Sequence, residues 1–201
     1  MKYIKLKNLI NEMLPHGVDT HGGMNVMKKV RRDSVINGLD YFTKSYIETA
    51  LWTDTESINM PPEEPEKDED DDEDDIEGDE WKPVPEKPAP RPTKSSYDIN
   101  DFATETLEKI KVDCDSFYNK YSELYHRAGW ADNLAAHDFW LTRNRHGAGF
   151  WDRRMDELDQ ELNHGLSENT FDRIQELLVK AAHSYGEFNL YLGDDGLIYG
   201  G

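Results

Sequence analysis

The chain has 201 residues, a net charge of −19, 32% charged against 36% hydrophobic residues and a mean hydropathy of −0.87, enough for one ordinary domain or a smaller one carrying a long segment that packs nothing. No apolar run approaches membrane-spanning length, and the opening MKYIKLKNLINEML interleaves Lys and Glu with its apolar residues, so the chain is expected to be soluble and not exported. A single cysteine, Cys114, excludes an intrachain disulfide framework and a Cys-based zinc site, and its place among apolar residues reads as a small buried hydrophobe.

In chain order, the first predicted element is a weak helix over 2–14, with Tyr3, Leu6, Ile10 and Met13 in line before Pro15. It lies in a basic arm, 1–32, whose seven Lys and Arg face only Glu12 and Asp19, a charge suited to nucleic acid or to the chain's own acidic tract. A second helix is predicted over 34–53, with Ile36, Leu39, Thr43, Tyr46, Ile47 and Ala50 on one face and Asp33 or Ser34 as N-cap. Residues 61–80 then hold fourteen carboxylates and one Lys, a local charge of −13, and run into the Pro-rich KPVPEKPAPRPTK. Self-repulsion and proline predict disorder over 57–96.

Beyond it, 101–126 reads as a long amphipathic helix with the stripe Leu107, Ile110, Cys114, Phe117, Tyr118, Tyr121, Leu124 and Tyr125. DFWLTRN and GFWDR, either side of a Gly-containing turn at 145–149, read as a β-hairpin in which Trp140 faces Trp151. A short helical turn is predicted within 154–163, and a helix over 168–185 opens at Ser167 or Asn169 and stops at Gly186. FNLYLGDDGLIYG closes the chain as a second hairpin turning at Asp195-Gly196. The expected fold is therefore α+β: a small antiparallel sheet of two hairpins against about three amphipathic helices. The domain is formed by 33–56 plus 97–201, and the acidic segment 57–96 is a loop excursion within it.

The chemistry-bearing residues cluster at 135–154, where AAHDFWLTRNRHGAGFWDRR gathers two His, two Asp, two Trp and four Arg. His137-Asp138 invites comparison with metal-dependent hydrolases, but no further His stands at helical i, i+4 spacing, so neither metal nor cofactor is assigned. General acid/base use of His137 or His146 beside Asp138 or Asp152 is chemically available, yet the sequence shows neither a pocket nor a nucleophile. The favoured reading pairs Asp138 and Asp152 across the hairpin mouth with Arg153, Arg154 or Arg143. Arg143, Asn144, Arg145 and His146 then form a recognition tip. The Asp194-Asp195 turn lacks the alternating ligands and closing Glu of a calcium loop.

HDFWLTRNRHGAGFWDR, followed by YGEFNLYLGDDGLIY and preceded by DYFTKSYIETALW and YDINDFATETLEKIKVDCDSFY, resembles a family of small uncharacterised proteins of tailed bacteriophages. The resemblance covers about 38–56 and 97–201 and departs from RNGHGAGFWDR at Arg145, which stands where the family usually has Gly. It implies a viral protein at work in an infected bacterial cytoplasm and brings no catalytic residue with it. The expected function is that of a non-enzymatic interaction protein that binds and inhibits or redirects a host protein or complex, one that handles nucleic acid or defends against phage. Asp70, Asp71, Asp72, Glu73, Asp74 and Asp75 would act as a nucleic-acid mimic. The alternative is a small metal- or His/Asp-dependent enzyme acting on nucleic acid or nucleotides through His137, Asp138, His146 and Asp152. No membrane partner is expected, and the oligomeric state is left open.

Overall fold

A computed structural model describes residues 20–54, 58 and 96–201, without the side chains of 20–25. The helix expected at 2–14, most of the basic arm and nearly all of 57–96, Asp70 to Asp75 included, lie outside these residues.

The described residues form five α-helices, α1 (Thr20–Asn37), α2 (Tyr41–Thr53), α3 (Thr104–Arg127), α4 (Asp132–Arg143) and α5 (Glu168–His183), and one hairpin, β1 (Leu190–Leu192) with β2 (Ile198–Gly200). Short 3-10 turns occur at Ile99–Asp101, Phe150–Asp152 and Met155–Glu157. The chain is thus mostly helical, which overturns the expected α+β fold. The hairpin expected at 138–153 is absent; its first strand is the second half of α4.

The physical reason lies in where α4 sits. Ala135, Ala136, Phe139, Trp140 and Arg143 recur at helical spacing, but Asp138, Leu141 and Thr142 are buried as well. From Asp138 to Arg143 every residue of this helix is buried, so no polar face marks its period there, and a dense aromatic run in such a segment imitates a strand. Trp140 donates Nε1–H to Thr53 Oγ1 at 2.7 Å inside the core, whereas Trp151, its expected cross-strand partner, is 53% exposed. Phe117 of α3 stacks on Phe139 of α4 with ring centroids 4.0 Å apart, and Phe42, Tyr46, Tyr125 and Phe150 complete the aromatic centre.

The predicted helix over 34–53 is two helices. Asp40 caps α2 by accepting Thr43 N–H at 2.7 Å, and Gly38 and Leu39 separate it from α1. A side-chain cap inside an apolar period ends one helix and starts another. The helices predicted over 101–126 and 168–185 occupy 104–127 and 168–183, with Cys114 fully buried and Ser167 capping the second through Thr170 N–H. At 154–163 the chain makes only the 3-10 turn at Met155–Glu157 and further turns, with Leu158 buried and Leu162 exposed.

The closing hairpin pairs Leu190 with Gly200, Tyr191 with Tyr199 and Leu192 with Ile198, and turns at Asp194–Gly196, where Gly196 has φ 76°. Phe102 bridges to Ile198, and Ala103 N–H donates to Ile198 O at 2.9 Å, so the chain re-entering from the acidic segment is anchored on this hairpin. On the departing side, Ile58 is 1% exposed and its N–H donates to Asp54 O at 2.9 Å.

The end of α4 explains the turn that follows. Arg145 N–H donates to Thr142 O at 3.2 Å and His146 N–H to Leu141 O at 2.9 Å, the pair of bonds that closes a helix through a left-handed residue. That residue is Arg145, at φ 57°, where glycine would enter without steric cost. Gly149, at φ 147°, serves a different need: a Cβ there would overlap Thr142 Oγ1, the atom that accepts Phe150 N–H at 2.9 Å.

Candidate functional site

Helix α4 sends the unusual residues of 135–154 to different places. Asp138 points inward and is 0% exposed. Its Oδ2 accepts Trp130 Nε1–H at 2.8 Å and Arg153 Nε–H at 2.9 Å; its Oδ1 accepts Arg153 Nη2–H at 2.8 Å and lies 3.0 Å from His137 Nδ1. Burial pushes the carboxyl up, but hydrogen bonds from His137, Arg153 and Trp130 outweigh it, and Asp138 is held below the usual carboxylate range. The same bonds raise Arg153.

His137 is half-buried, and its ring stacks against Trp52 at 6.5 Å between centroids. With Nδ1 donating to Asp138, the ring is held in one orientation and Nε2 has no hydrogen-bond partner among the described residues. His146 does not join this pair. Its Nε2 lies 3.5 Å from Asp54 Oδ1, at the C-cap of α2. Burial raises the Asp54 carboxyl, and the lowering by His146, Thr53 and the Leu190 backbone does not cancel it.

Asp152 is exposed and its carboxylate makes no hydrogen bond among the described residues, so the structure brings together His137 and Asp138 but neither His146 nor Asp152 with them. Of the expected ion pairs only Asp138 with Arg153 forms; Arg154 holds Asp156 at 2.7 Å. A third histidine pair, unmarked in the sequence reading, joins His126 Nε2 to Asp132 Oδ1 at 2.7 Å, the same oxygen that accepts Tyr125 O–H.

Arg143, expected at an exposed tip, is 4% exposed. Its Nε donates to Gly186 O, Nη1 to the Tyr46 hydroxyl Oη at 3.0 Å and Nη2 to Tyr185 O at 3.0 Å, and Nη2 stands 2.9 Å from Asp113 Oδ2. Phe188 lies under the guanidinium, centroid 4.9 Å away. One side chain thus ties α2, α3, α4 and the lead-in to β1 together, and four of its five N–H donors are spent inside the fold. Asn144 spends its amide on Trp140 O and its Oδ1 on Phe188 N–H at 2.7 Å. Of the four tip residues, Arg145, paired with Glu187 at 2.8 Å, and His146 reach solvent.

The residue that sequence reasoning missed is Trp52, 74% exposed on the last turn of α2. Lys44, Glu48 and Trp52 share its outer edge one turn apart, with Ile47 and Leu51 beneath. Ile36, Tyr97 and Ile99 face them across a groove of about 550 Å³. The available signal was its position: Trp52 falls off the stripe that α2 buries, at the door of the acidic segment.

Among the described residues no three His, Cys, Asp or Glu side chains group as metal ligands, and no helix is long and apolar enough to cross a membrane. Comparisons with protein-family models, with curated proteins and with solved structures find no match for the chain.

Proposed function

We propose that this is a phage-encoded, non-enzymatic interaction protein that acts in the host cytoplasm by binding and inhibiting or redirecting a host protein or complex. One contrast supports the reading. Charge of −13 is concentrated in 61–80, while the conspicuous charged residues of the folded part, Asp138, Arg143 and Arg153, are occupied in holding it together. A block of carboxylates competes for the basic channel of a nucleic-acid-handling partner and accelerates encounter with it. The viral assignment rests on the HDFWLTRNRHGAGFWDR resemblance. Lys28 and Lys29, exposed on α1, continue the basic arm for which nucleic acid is the candidate partner.

The test is the association rate with a host partner captured from infected cells, for the full chain and for one in which the fourteen acidic residues of 61–80 are changed to Asn and Gln. At low salt neutralisation should slow association at least about tenfold, and the two rates should converge once salt shortens the screening length below about 8 Å. Equal rates at both salts would overturn the reading. The enzyme alternative has one observation in its favour, the His137 ring oriented by Asp138 with Nε2 open. Nuclease or nucleotidase activity lost in His137→Ala would decide for it.

A further inference from the structure

The groove beside Trp52 has the features of a seat for a positively charged side chain. Trp52 presents its indole to solvent over most of its surface, and tryptophan is the strongest of the aromatic rings in attracting a cation over its face. One side of the ring faces His137, with centroids 6.5 Å apart, and His137 is itself oriented by the buried Asp138 carboxylate. Two carboxylates, Glu48 and Asp98, line the groove against one cation, Lys44. Glu48 stands one helical turn from Trp52, within reach of the same guanidinium or ammonium group. Asp98 already accepts Asn100 N–H at 2.7 Å, which holds its carboxylate in place at the opposite wall.

The groove also stands where the acidic segment is rooted. Its walls include Leu51 and Trp52, just before the chain departs, and Ser96 to Ile99, just after it returns. Residues 61–80, with their charge of −13, are therefore tethered to both sides of it. A phosphate backbone approaching this place meets repulsion; a lysine- or arginine-bearing segment meets attraction at long range and an aromatic seat at short range.

We propose that the Trp52 groove anchors a lysine- or arginine-bearing segment of a partner protein, with the cation over the indole and Glu48 beside it. The inference rests on the interaction reading above and gives that reading a contact residue within the fold.

The experiment measures binding of a fluorescein-labelled peptide of alternating arginine and serine by anisotropy. It uses six full-length proteins: wild type, the chain with 61–80 neutralised, each of these with Trp52→Ala, and the neutralised chain with Trp52→Phe or Glu48→Gln. The melting temperature of each is recorded, and since Trp52 is exposed, its removal should leave folding intact. In the neutralised chain Trp52→Ala should weaken the peptide roughly fivefold or more, within the range of a cation–π contact, and Trp52→Phe should recover part of the loss. Glu48→Gln should weaken it by a smaller factor.

Unchanged affinity on Trp52→Ala in the neutralised chain overturns the groove, and so does failure of the neutralised chain to bind the peptide; a large loss on neutralising the tract then leaves the acidic-tract reading standing. The converse result, a Trp52-dependent affinity untouched by neutralisation, upholds the groove and removes the tract. Single-stranded oligothymidylate is the counter-probe: Trp52-dependent binding of it in place of the peptide assigns the groove to nucleic acid and overturns the proposal.

Discussion

Of the three histidine–carboxylate pairs around α4, His137–Asp138 and His146–Asp54 are opposites. Asp138 is fully buried, yet Arg153, Trp130 and His137 all donate to it, and its carboxyl is held low. Asp54 is less completely enclosed, but its histidine stands 3.5 Å away and no arginine joins it; burial prevails and the carboxyl is raised. The lesson is that depth does not set the state of a buried acid. The number and quality of donors does, because desolvation is a fixed cost that only direct partners offset.

The largest expected effect breaks the better-made pair. Asp138→Ala leaves Trp130 Nε1–H and part of the Arg153 guanidinium without an acceptor, and should lower stability by about 3 kcal/mol, read from chemical denaturation at pH 7. The stabilisation from Asp138 has a definite pH window. Its folded value lies below its unfolded one, so the contribution is complete above about pH 4 and is lost as pH falls through the folded value. The alanine variant should therefore approach wild-type stability in acid; a gap that stays constant from pH 7 to pH 2 would show that packing, not charge, holds this place.

Asp54 should behave with the reverse sign. Its raised folded value means that its favourable contribution is complete below about pH 4 and is lost as pH rises through the folded value. Asp54→Asn retains an acceptor and should stabilise by about 1 kcal/mol at pH 7 relative to its own effect at pH 3. An effect that grows in acid would mean that the His146 contact dominates after all.

The smallest effect supplies the control. Arg145→Gly relieves a left-handed residue without touching either carboxylate and should stabilise by about 0.5–1 kcal/mol, equally at every pH. Loss of stability would instead give the Arg145–Glu187 pair more weight than an exposed ion pair normally carries.

Much of the helical frame was legible in sequence because α3 and α5 each bury one face and leave the other wet, so their apolar period is visible. The closing hairpin was legible through its Asp-Gly turn. α4 was not, and for the opposite reason: it is enclosed, and its buried set includes Asp138 and Arg143, polar residues whose partners come from distant parts of the chain. The same blindness affected the site. Asp138 and Arg143 read as chemistry or a recognition tip because nothing local shows that Trp130, Arg153, Tyr46 and Asp113 satisfy them. Trp52 was overlooked because a helix stripe draws attention to what it buries, and Trp52 is what α2 leaves out.

The anchoring of the acidic segment has a consequence for how such a protein changes over generations. The chain departs past Ile58, which is packed into the core, and returns to Phe102, which bridges to the last strand, so both points of attachment belong to the folded body. Lengthening the stretch between them adds only slowly to its closure cost. On the interaction function proposed above, substitutions, expansions and exchanges there would be screened by what the segment binds, while those at Phe102, Ile198 or Asp138 are screened by whether the protein folds at all. On that proposal, selection on the segment would be separated from selection on foldability, and a lineage would alter what the segment meets by rewriting it while its folded body stays nearly still.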